Sequence, residues 1–211
     1  MCCTRSHFTV LGAIAAALMC ATLGACGTDN SNGAETAVRS FLDARESGNA
    51  AAACALMSPG QQLEMVSLIT ADVARASATK CKRFVLSHSP ASTATKPENA
   101  VLRSAELESR ILRAGGWQAA SVHPRGASGP QMEVIRDHGR WTVDGSAYEK
   151  VSFIGECSRE TGEADRCACL FEQGLRKRGL NIYAVHPPAA SIVRAALSDA
   201  AAACAATTPT S

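Results

Sequence analysis

Cysteine is the residue type that offers this chain the most chemistry. The 211 residues include ten cysteines, which is many for this length. A cysteine thiol can be acylated, can bind a metal, can exchange disulfides or can form a permanent disulfide. The positions of the cysteines distinguish these uses, because four lie within the first 26 residues and six lie further along the chain.

The N-terminal cysteines accompany an apolar stretch at residues 8–19. This stretch has the length of a signal-peptide core and is shorter than the ~20 residues of a membrane-spanning helix. It is followed by the sequence Leu23-Gly24-Ala25-Cys26. The segment resembles the signal peptides of bacterial lipoproteins. That resemblance implies an acylated (palmitate-bearing) Cys26, removal of residues 1–25, and anchoring through membrane lipid at the extracytoplasmic face of the cell membrane. An ordinary secretory signal and an uncleaved anchor are the alternatives.

Six cysteines would remain after cleavage and acylation, and their number is even. An even number of cysteines in an exported chain predicts disulfides. Cys54 and Cys81 are the two in the first half of this region. Their pairing would close a loop of about 28 residues, worth roughly 3.6 kcal/mol in the chain-entropy model.

The other four are Cys157, Cys167, Cys169 and Cys204. Two residues that are two positions apart on a helix point about 200° apart, which disfavours a bond between Cys167 and Cys169. The sequence favours Cys157–Cys167 with Cys169–Cys204, and the crossed pairing stays open. A zinc site would need paired C-x₂-C spacing, which is missing, and a redox-active thiol would need a lowered pKa. We therefore predict structural disulfides, no metal site and no cofactor.

Acid–base chemistry would need a positioned carboxylate or histidine. The candidates are Asp72, His88, Glu106, Glu108 and His123. Glu106 and Glu108 alternate with Leu107, which is typical of the solvent-facing side of a strand. His123 stands at a predicted strand end and His138 in a predicted turn, so both are expected to be solvated. None of these residues lies in a catalytic motif, and we assign no catalytic residue.

The elements that would position these residues begin with helices. Apolar residues recur at helical spacing in residues 35–47, and Gly48 is placed to end that helix. Asn49 can cap a short helix over residues 50–57, and Pro59 suits the first turn of a third helix. Before them, residues 27–34 are small or polar and predict a flexible tether.

Strand patterns follow the helices. Residues 84–86 form a short apolar run, residues 91–99 read as a loop, and residues 101–113 alternate. Gly115-Gly116 predicts a hairpin turn with Trp117 opening the return strand. Further strands are predicted around residues 132–136 and 140–145. Helices followed by a meander of hairpins predict an α+β fold with N-terminal helices on one face of a curved antiparallel sheet.

Three stretches support a family resemblance. They are Val38-Arg39-Ser40-Phe41-Leu42-Asp43-Ala44 with Gly48, then Cys54-Ala55-Leu56, and finally Asp137-His138-Gly139-Arg140-Trp141-Thr142-Val143-Asp144-Gly145. Residues 35–147 resemble the ketosteroid-isomerase/SnoaL-like superfamily, whose fold is cone-like and related to nuclear transport factor two. The resemblance implies a domain that can hold a pocket, and enzyme members place a carboxylate inside it.

The remaining residues, 148–211, predict a small cysteine-rich helical unit. Apolar residues share one face over residues 164–175, Gly179 ends that helix, and Pro187-Pro188 opens the last helix. A helical hairpin of this size needs covalent support, which the cysteines would supply. The predicted organisation is therefore a signal peptide at 1–25, a tether at 26–34, a cone-like domain at 35–147 and this unit at 148–211.

Composition limits the functions that remain. The formal net charge is +2, so no basic field is available to attract nucleic acid. The favoured hypothesis is a non-catalytic lipoprotein of the cell envelope that binds a small apolar ligand or an envelope protein. The alternatives are an envelope enzyme of the isomerase or hydrolase type with a buried carboxylate, and a structural accessory. A cavity that holds an Asp or Glu would favour the enzyme.

Overall fold

Five helices precede the sheet in the computed structural model, which describes residues 31–70, 78–87 and 97–205. The signal segment, Cys26, Asp72 and His88 lie outside the described residues. Residues Ser31–Ser211 cluster as one unit. The helices are α1 (Ser31–Glu46), α2 (Ala50–Ala55), α3 (Pro59–Thr70), α4 (Ala78–Ser87) and α5 (Pro97–Ser104).

Helix α1 begins earlier than the sequence pattern indicates. Its first residue is Ser31, so residues 31–34 of the predicted tether are helical. Tertiary packing explains the difference, because Ala34 is completely buried. At Gly33 an added Cβ would lie 2.8 Å from Cδ1 of Trp141, so the first turn fits tightly against the sheet. Gly48, with φ +69°, follows the helix as predicted.

Helices α2 and α4 are joined by the Cys54–Cys81 disulfide, as predicted. Asn49 caps α2, since its side chain accepts a hydrogen bond of 3.1 Å from the Ala52 N–H. The strand predicted at residues 84–86 is wrong, because these residues lie within α4. Cys81 and Val85, one helical turn apart, are both buried, and that spacing suits a helix.

Helix α5 also replaces predicted extended chain. The strand expected over residues 101–113 is helical up to Ser104 and extended from Leu107 onward. Pro97 opens this helix, where its missing N–H and fixed φ are tolerated. Leu102 is buried against the helical layer while Leu107 starts the strand.

The sheet is an antiparallel meander in the order β1-β2-β3-β4. Its strands are β1 (Leu107–Ala114), β2 (Trp117–Pro124), β3 (Met132–Asp137) and β4 (Arg140–Val143). The predicted turn at Gly115 and Gly116 has positive φ at both residues, 55° and 81°. The α+β class and the antiparallel sheet are confirmed.

Both faces of the sheet carry helices, which corrects the expectation of helices on one face. Ala120, Val122 and Val134 pack with α1 and its neighbours. Ala119 and Ile135, which alternate with them, pack with the helix that follows the sheet. Residues 117–123 show no clean apolar alternation, because small alanines stand on both faces, so the second apolar face was not predicted.

The C-terminal region contains more helix than predicted. Helix α6 (Ala147–Thr161) precedes the two helices that the sequence predicts in this region. It is followed by α7 (Ala164–Leu170), a π-helical turn (Phe171–Leu175), a 3₁₀ turn (Arg176–Arg178) and α8 (Ala190–Cys204). Gly179 caps the 3₁₀ turn in the left-handed conformation, as the sequence indicates. Within the described ranges, no helix is long and apolar enough to cross a bilayer.

Two disulfides hold these helices together. Cys157 pairs with Cys167 at a Cα–Cα distance of 5.9 Å, and Cys169 pairs with Cys204 at 5.7 Å. Both distances fall in the ordinary range for a disulfide. The favoured pairing is confirmed and the crossed pairing is not formed.

Candidate functional site

A cluster of charged and polar side chains surrounds Asp144 at the end of β4. Asp144 is 0% exposed. Its Oδ2 accepts hydrogen bonds from Ser58 Oγ at 2.6 Å and from Arg176 Nη1 at 3.1 Å. Its Oδ1 accepts from Arg176 Nη2 and from the Ser146 N–H at 3.1 Å. Both carboxylate oxygens are therefore fully engaged by the chain.

The cluster extends into the C-terminal helices. Glu172 Oε1 accepts from Arg176 Nη1 at 3.3 Å and from Lys150 Nζ at 2.7 Å. Gly60 makes the close approach possible, because a Cβ there would overlap Arg176 Nη1. We call Ser58, Asp144, Lys150, Glu172 and Arg176 the ion cluster. It links α3, the end of β4 and the π-helical and 3₁₀ turns.

Charge pairing fixes the protonation of the ion cluster. Burial acts to raise the pKa of Asp144, but the charge and hydrogen bonds of Arg176, with those of Ser58 and Ser146, outweigh it and lower that pKa. Burial likewise opposes the charge on Arg176, but the carboxylates around it leave its pKa raised. A permanently charged pair with both Asp144 oxygens engaged is suited to structure rather than to proton transfer.

An apolar cleft lies between α1, α3 and the sheet. Its volume is about 310 Å³. Met57, Met65 and Met132 line it, and they are the three methionines that follow Cys26 in the sequence. The remaining lining residues are Phe41, Gln61, Gln131, Glu133, Val143 and Gly145. We call this space the methionine cleft.

A second cleft, of about 460 Å³, lies on the other face of the sheet beside the start of α6. The floor of this cleft is a cross-strand row of side chains. In this row Ser121 on β2 is paired with Arg110 on β1 and with Glu133 on β3. Glu108 and His123 form the neighbouring cross-strand pair. Tyr148 and the loop at residues 127–129 complete the walls. We call this space the polar cleft.

His123 is the residue of the polar cleft with an unmet bonding requirement. Its Nδ1 lies 3.3 Å from the Pro124 carbonyl oxygen and 3.5 Å from Glu108 Oε1. Its Nε2 is buried and has no hydrogen-bond partner among the described residues. The prediction that His123 is solvated is wrong, since its side chain is 15% exposed. His138, at 96% exposed, is solvated as predicted.

Glu133 lies where the two clefts meet. It lines both of them, as does Gln131. Its Oε2 accepts the Tyr148 N–H at 3.1 Å, so the carboxylate stands at the N-terminus of α6. Burial raises the pKa of Glu133, and the charge of Asp144 adds to the effect, while hydrogen bonds from the first N–H groups of α6 oppose it.

The other predicted candidates have ordinary surroundings. Glu106 is exposed to solvent, as predicted, and its Oε1 lies 2.7 Å from Arg125 Nη1. Glu108 is partly exposed and orients His123. In residues 31–70, 78–87 and 97–205, no group of three or more His, Cys, Asp or Glu side chains could hold a metal ion.

Comparison with known proteins adds no name. No family model, no curated protein and no solved structure matches the chain. The lipoprotein signal and the SnoaL-like resemblance therefore stay predictions, and the function has to be argued from the clefts.

Sequence reasoning missed Glu133, Asp144 and Arg176 as site residues. Glu133 and Asp144 lie in stretches that the sequence predicts only as strands, around residues 132–136 and 140–145. No periodicity marks a residue that faces a cleft rather than solvent. One compositional signal was available, because only three of the five methionines follow Cys26, and all three meet at one cleft.

Proposed function

We propose that the protein is a lipid-anchored lipoprotein of the cell envelope that binds a small, largely apolar ligand without transforming it. The methionine cleft is the observation that carries this proposal. Three methionines and Phe41 form an apolar wall, and the polar groups Gln61, Gln131 and Glu133 offer fixed points for orientation. Ligand sites commonly combine an apolar lining with a few polar groups in a volume of this order.

Methionine suits such a role for a physical reason. Its unbranched, polarizable side chain adapts to ligands of different shape, and it is frequent at surfaces that accept varied apolar partners. Met65 and Met132 are partly exposed at the cleft, whereas Met57 is buried at its base. Adaptable side chains around a fixed sheet favour binding over a precisely aligned reaction.

The disulfides support the envelope location. All six cysteines of the described residues are paired in three disulfides, which form and persist in oxidising compartments. The proposed anchor at Cys26 would hold the domain at the extracytoplasmic face of the membrane, with two or three acyl chains giving stable attachment. A cone-like, SnoaL-like domain remains part of this proposal.

The anchor is tested by Cys26→Ser in the full chain. We expect the wild-type protein to partition into the detergent phase and to carry a mass increase at its N-terminus, and the variant to lose the added acyl mass. Cys20→Ser is the matched control and should change neither property. Equal acyl mass in wild type and Cys26→Ser would refute the anchor.

Ligand binding is tested with 1-octanol as probe. The full chain is held in lipid nanodiscs, with empty nanodiscs as the blank, and binding is followed by calorimetry. We expect Met65→Gln, which keeps the length of the side chain but removes apolar surface, to weaken binding about tenfold. Leu63→Gln is the matched control on α3, because Leu63 does not line the methionine cleft. Absence of octanol binding by the wild-type protein would refute the proposal.

Glu133 favours a second candidate function, an envelope enzyme of the isomerase or hydrolase type. A carboxylate with a raised pKa beside an apolar cleft is the feature that such chemistry requires. Hydrolysis of 4-nitrophenyl octanoate separates the two candidates. Turnover that Glu133→Gln abolishes would support the enzyme, whereas binding without turnover supports the carrier.

A further inference from the structure

We propose that the polar cleft binds a neutral, hydroxyl-bearing headgroup, such as a sugar or polyol, of the ligand whose apolar part occupies the methionine cleft. This inference rests on the proposed function, because it assigns chemistry to the other end of the same ligand. Its basis is the set of hydrogen-bond acceptors that the fold leaves without donors.

His123 supplies the first acceptor. The two neighbours of its Nδ1, the Pro124 carbonyl and the Glu108 carboxylate, can only accept hydrogen bonds. The ring proton of neutral His123 therefore lies on Nδ1, and Nε2 presents a lone pair. That atom is buried without a partner in the described part of the chain. A buried acceptor without a donor is unfavourable, and His123 lines the polar cleft, so a ligand that donates to Nε2 is favoured.

Ser121 and Glu133 supply further acceptors on the same floor. The Ser121 hydroxyl donates to Gln131 Oε1 at 3.2 Å, which leaves its own oxygen lone pairs available. Glu133 accepts from Tyr148 on one side and retains acceptor capacity on its carboxylate. Several acceptors around one cleft call for a ligand that presents several O–H or N–H donors.

The charges around the cleft argue against a charged headgroup. Glu108 and Glu133 would repel an anion, and Arg110, on the same cross-strand row as Glu133, would repel a cation. A hydroxyl group avoids both penalties, because it donates to the acceptors and accepts from the Arg110 guanidinium. A neutral polyol therefore matches this mixed site better than a carboxylate or an ammonium group.

The two clefts are continuous, so a single ligand can place its polar headgroup in one and its apolar part in the other. Gln131 and Glu133 line both spaces at the start of β3, beyond the last β3–β4 pair, Val134 with Val143. The Glu133 carbonyl is bonded there by the Asp144 N–H at 3.0 Å, so a ligand would pass around β3 at Gln131, with its apolar part among the methionines. The combined site suits an amphipathic molecule such as a glycolipid fragment.

The test compares headgroups at constant chain length. Octyl β-glucoside, octanoate and octyltrimethylammonium are titrated, below their micelle concentrations, into the full chain in nanodiscs with empty nanodiscs as blank. We expect the glucoside to bind at least tenfold more tightly than either charged compound. His123→Phe should reduce that preference to within twofold and leave 1-octanol affinity unchanged. His138→Asn, in the solvated turn, is the matched control and should preserve the preference.

The outcomes distinguish this inference from the proposed function. Equal affinity for all three headgroups, or preference for a charged one, would overturn the inference and leave ligand binding in the methionine cleft standing. Failure of every octyl compound, 1-octanol included, would overturn both. Should His123→Phe fail to fold, Ser121→Ala provides the second variant, and an undiminished glucoside preference there would count against the site.

Discussion

The ion cluster and the polar cleft use similar residues for different ends. Each brings a carboxylate and a cation to the sheet, since Asp144 is ion-paired with Arg176 in one, and Glu133 and Arg110 line the other. In the ion cluster both oxygens of Asp144 are bonded by the chain, and the atoms are buried. In the polar cleft an acceptor on His123 is buried without a donor.

This difference distinguishes a structural network from a candidate binding site. A satisfied buried network holds helices in place and offers a ligand nothing, because no bonding capacity remains on its carboxylate. An unsatisfied acceptor in a cleft costs stability until something binds there. The ion cluster has one unsatisfied atom, because Arg176 Nε has no hydrogen-bond partner among the described residues. Asp144 itself is fully bonded.

The largest effect should come from breaking the ion cluster. Arg176→Met leaves the charge of Asp144 buried without its partner, and we expect a loss of about 3–5 kcal/mol in the free energy of unfolding. Urea titration with disulfides intact measures it. Arg178→Met is the matched control, because Arg178 pairs with Asp199 at the surface, and it should cost no more than about 1 kcal/mol. Equal losses in the two variants would contradict the distinction.

A smaller loss should follow from disturbing the cluster without removing a charge. Gly60→Ala places a Cβ where Arg176 Nη1 now lies, so the guanidinium must move away from its partners. We expect a loss of about 1–3 kcal/mol in unfolding free energy, since overpacking at a buried site has that size. Gly129→Ala, where the new Cβ would be 3.5 Å from Pro124 Cγ, should stay within about 0.5 kcal/mol. If Gly60→Ala leaves the unfolding free energy unchanged, the ion cluster can rearrange to accommodate the added methyl group.

The smallest effect should come from Glu133 and should depend on pH. Its folded pKa is raised chiefly by burial, so the stability that its neutral form provides is present at low pH and is lost as pH rises through that pKa. Unfolding free energies of wild type and Glu133→Gln, compared from about pH 3 to about pH 8, should diverge in favour of the variant by at most about 1 kcal/mol. If the unfolding free energy of the wild type instead rises relative to that of the variant as pH increases, the burial argument is refuted.

Some parts of the fold were predictable because they depend on local chemistry. Gly48 and Gly179 mark helix ends, and Gly115-Gly116 marks a turn, since these positions need positive φ. The divergence of Cys167 and Cys169 on one helix disfavoured a bond between them, and only the tertiary structure decided between the two remaining pairings. The strand predicted at residues 84–86 was wrong because a short apolar run fits a strand or a helix equally well.

What the sequence determined by itself is the framework: the helix ends and the hairpin turn, the six paired cysteines and the α+β class. These follow from backbone conformation and side-chain periodicity, which are properties of neighbouring residues. The tertiary structure alone decided that helices cover both faces of the sheet, that Asp144 meets Arg176, and that His123 lies beside Glu108 at a cleft with its Nε2 buried. Those contacts join residues far apart in the chain, and no local pattern records whether a polar side chain will find its partner.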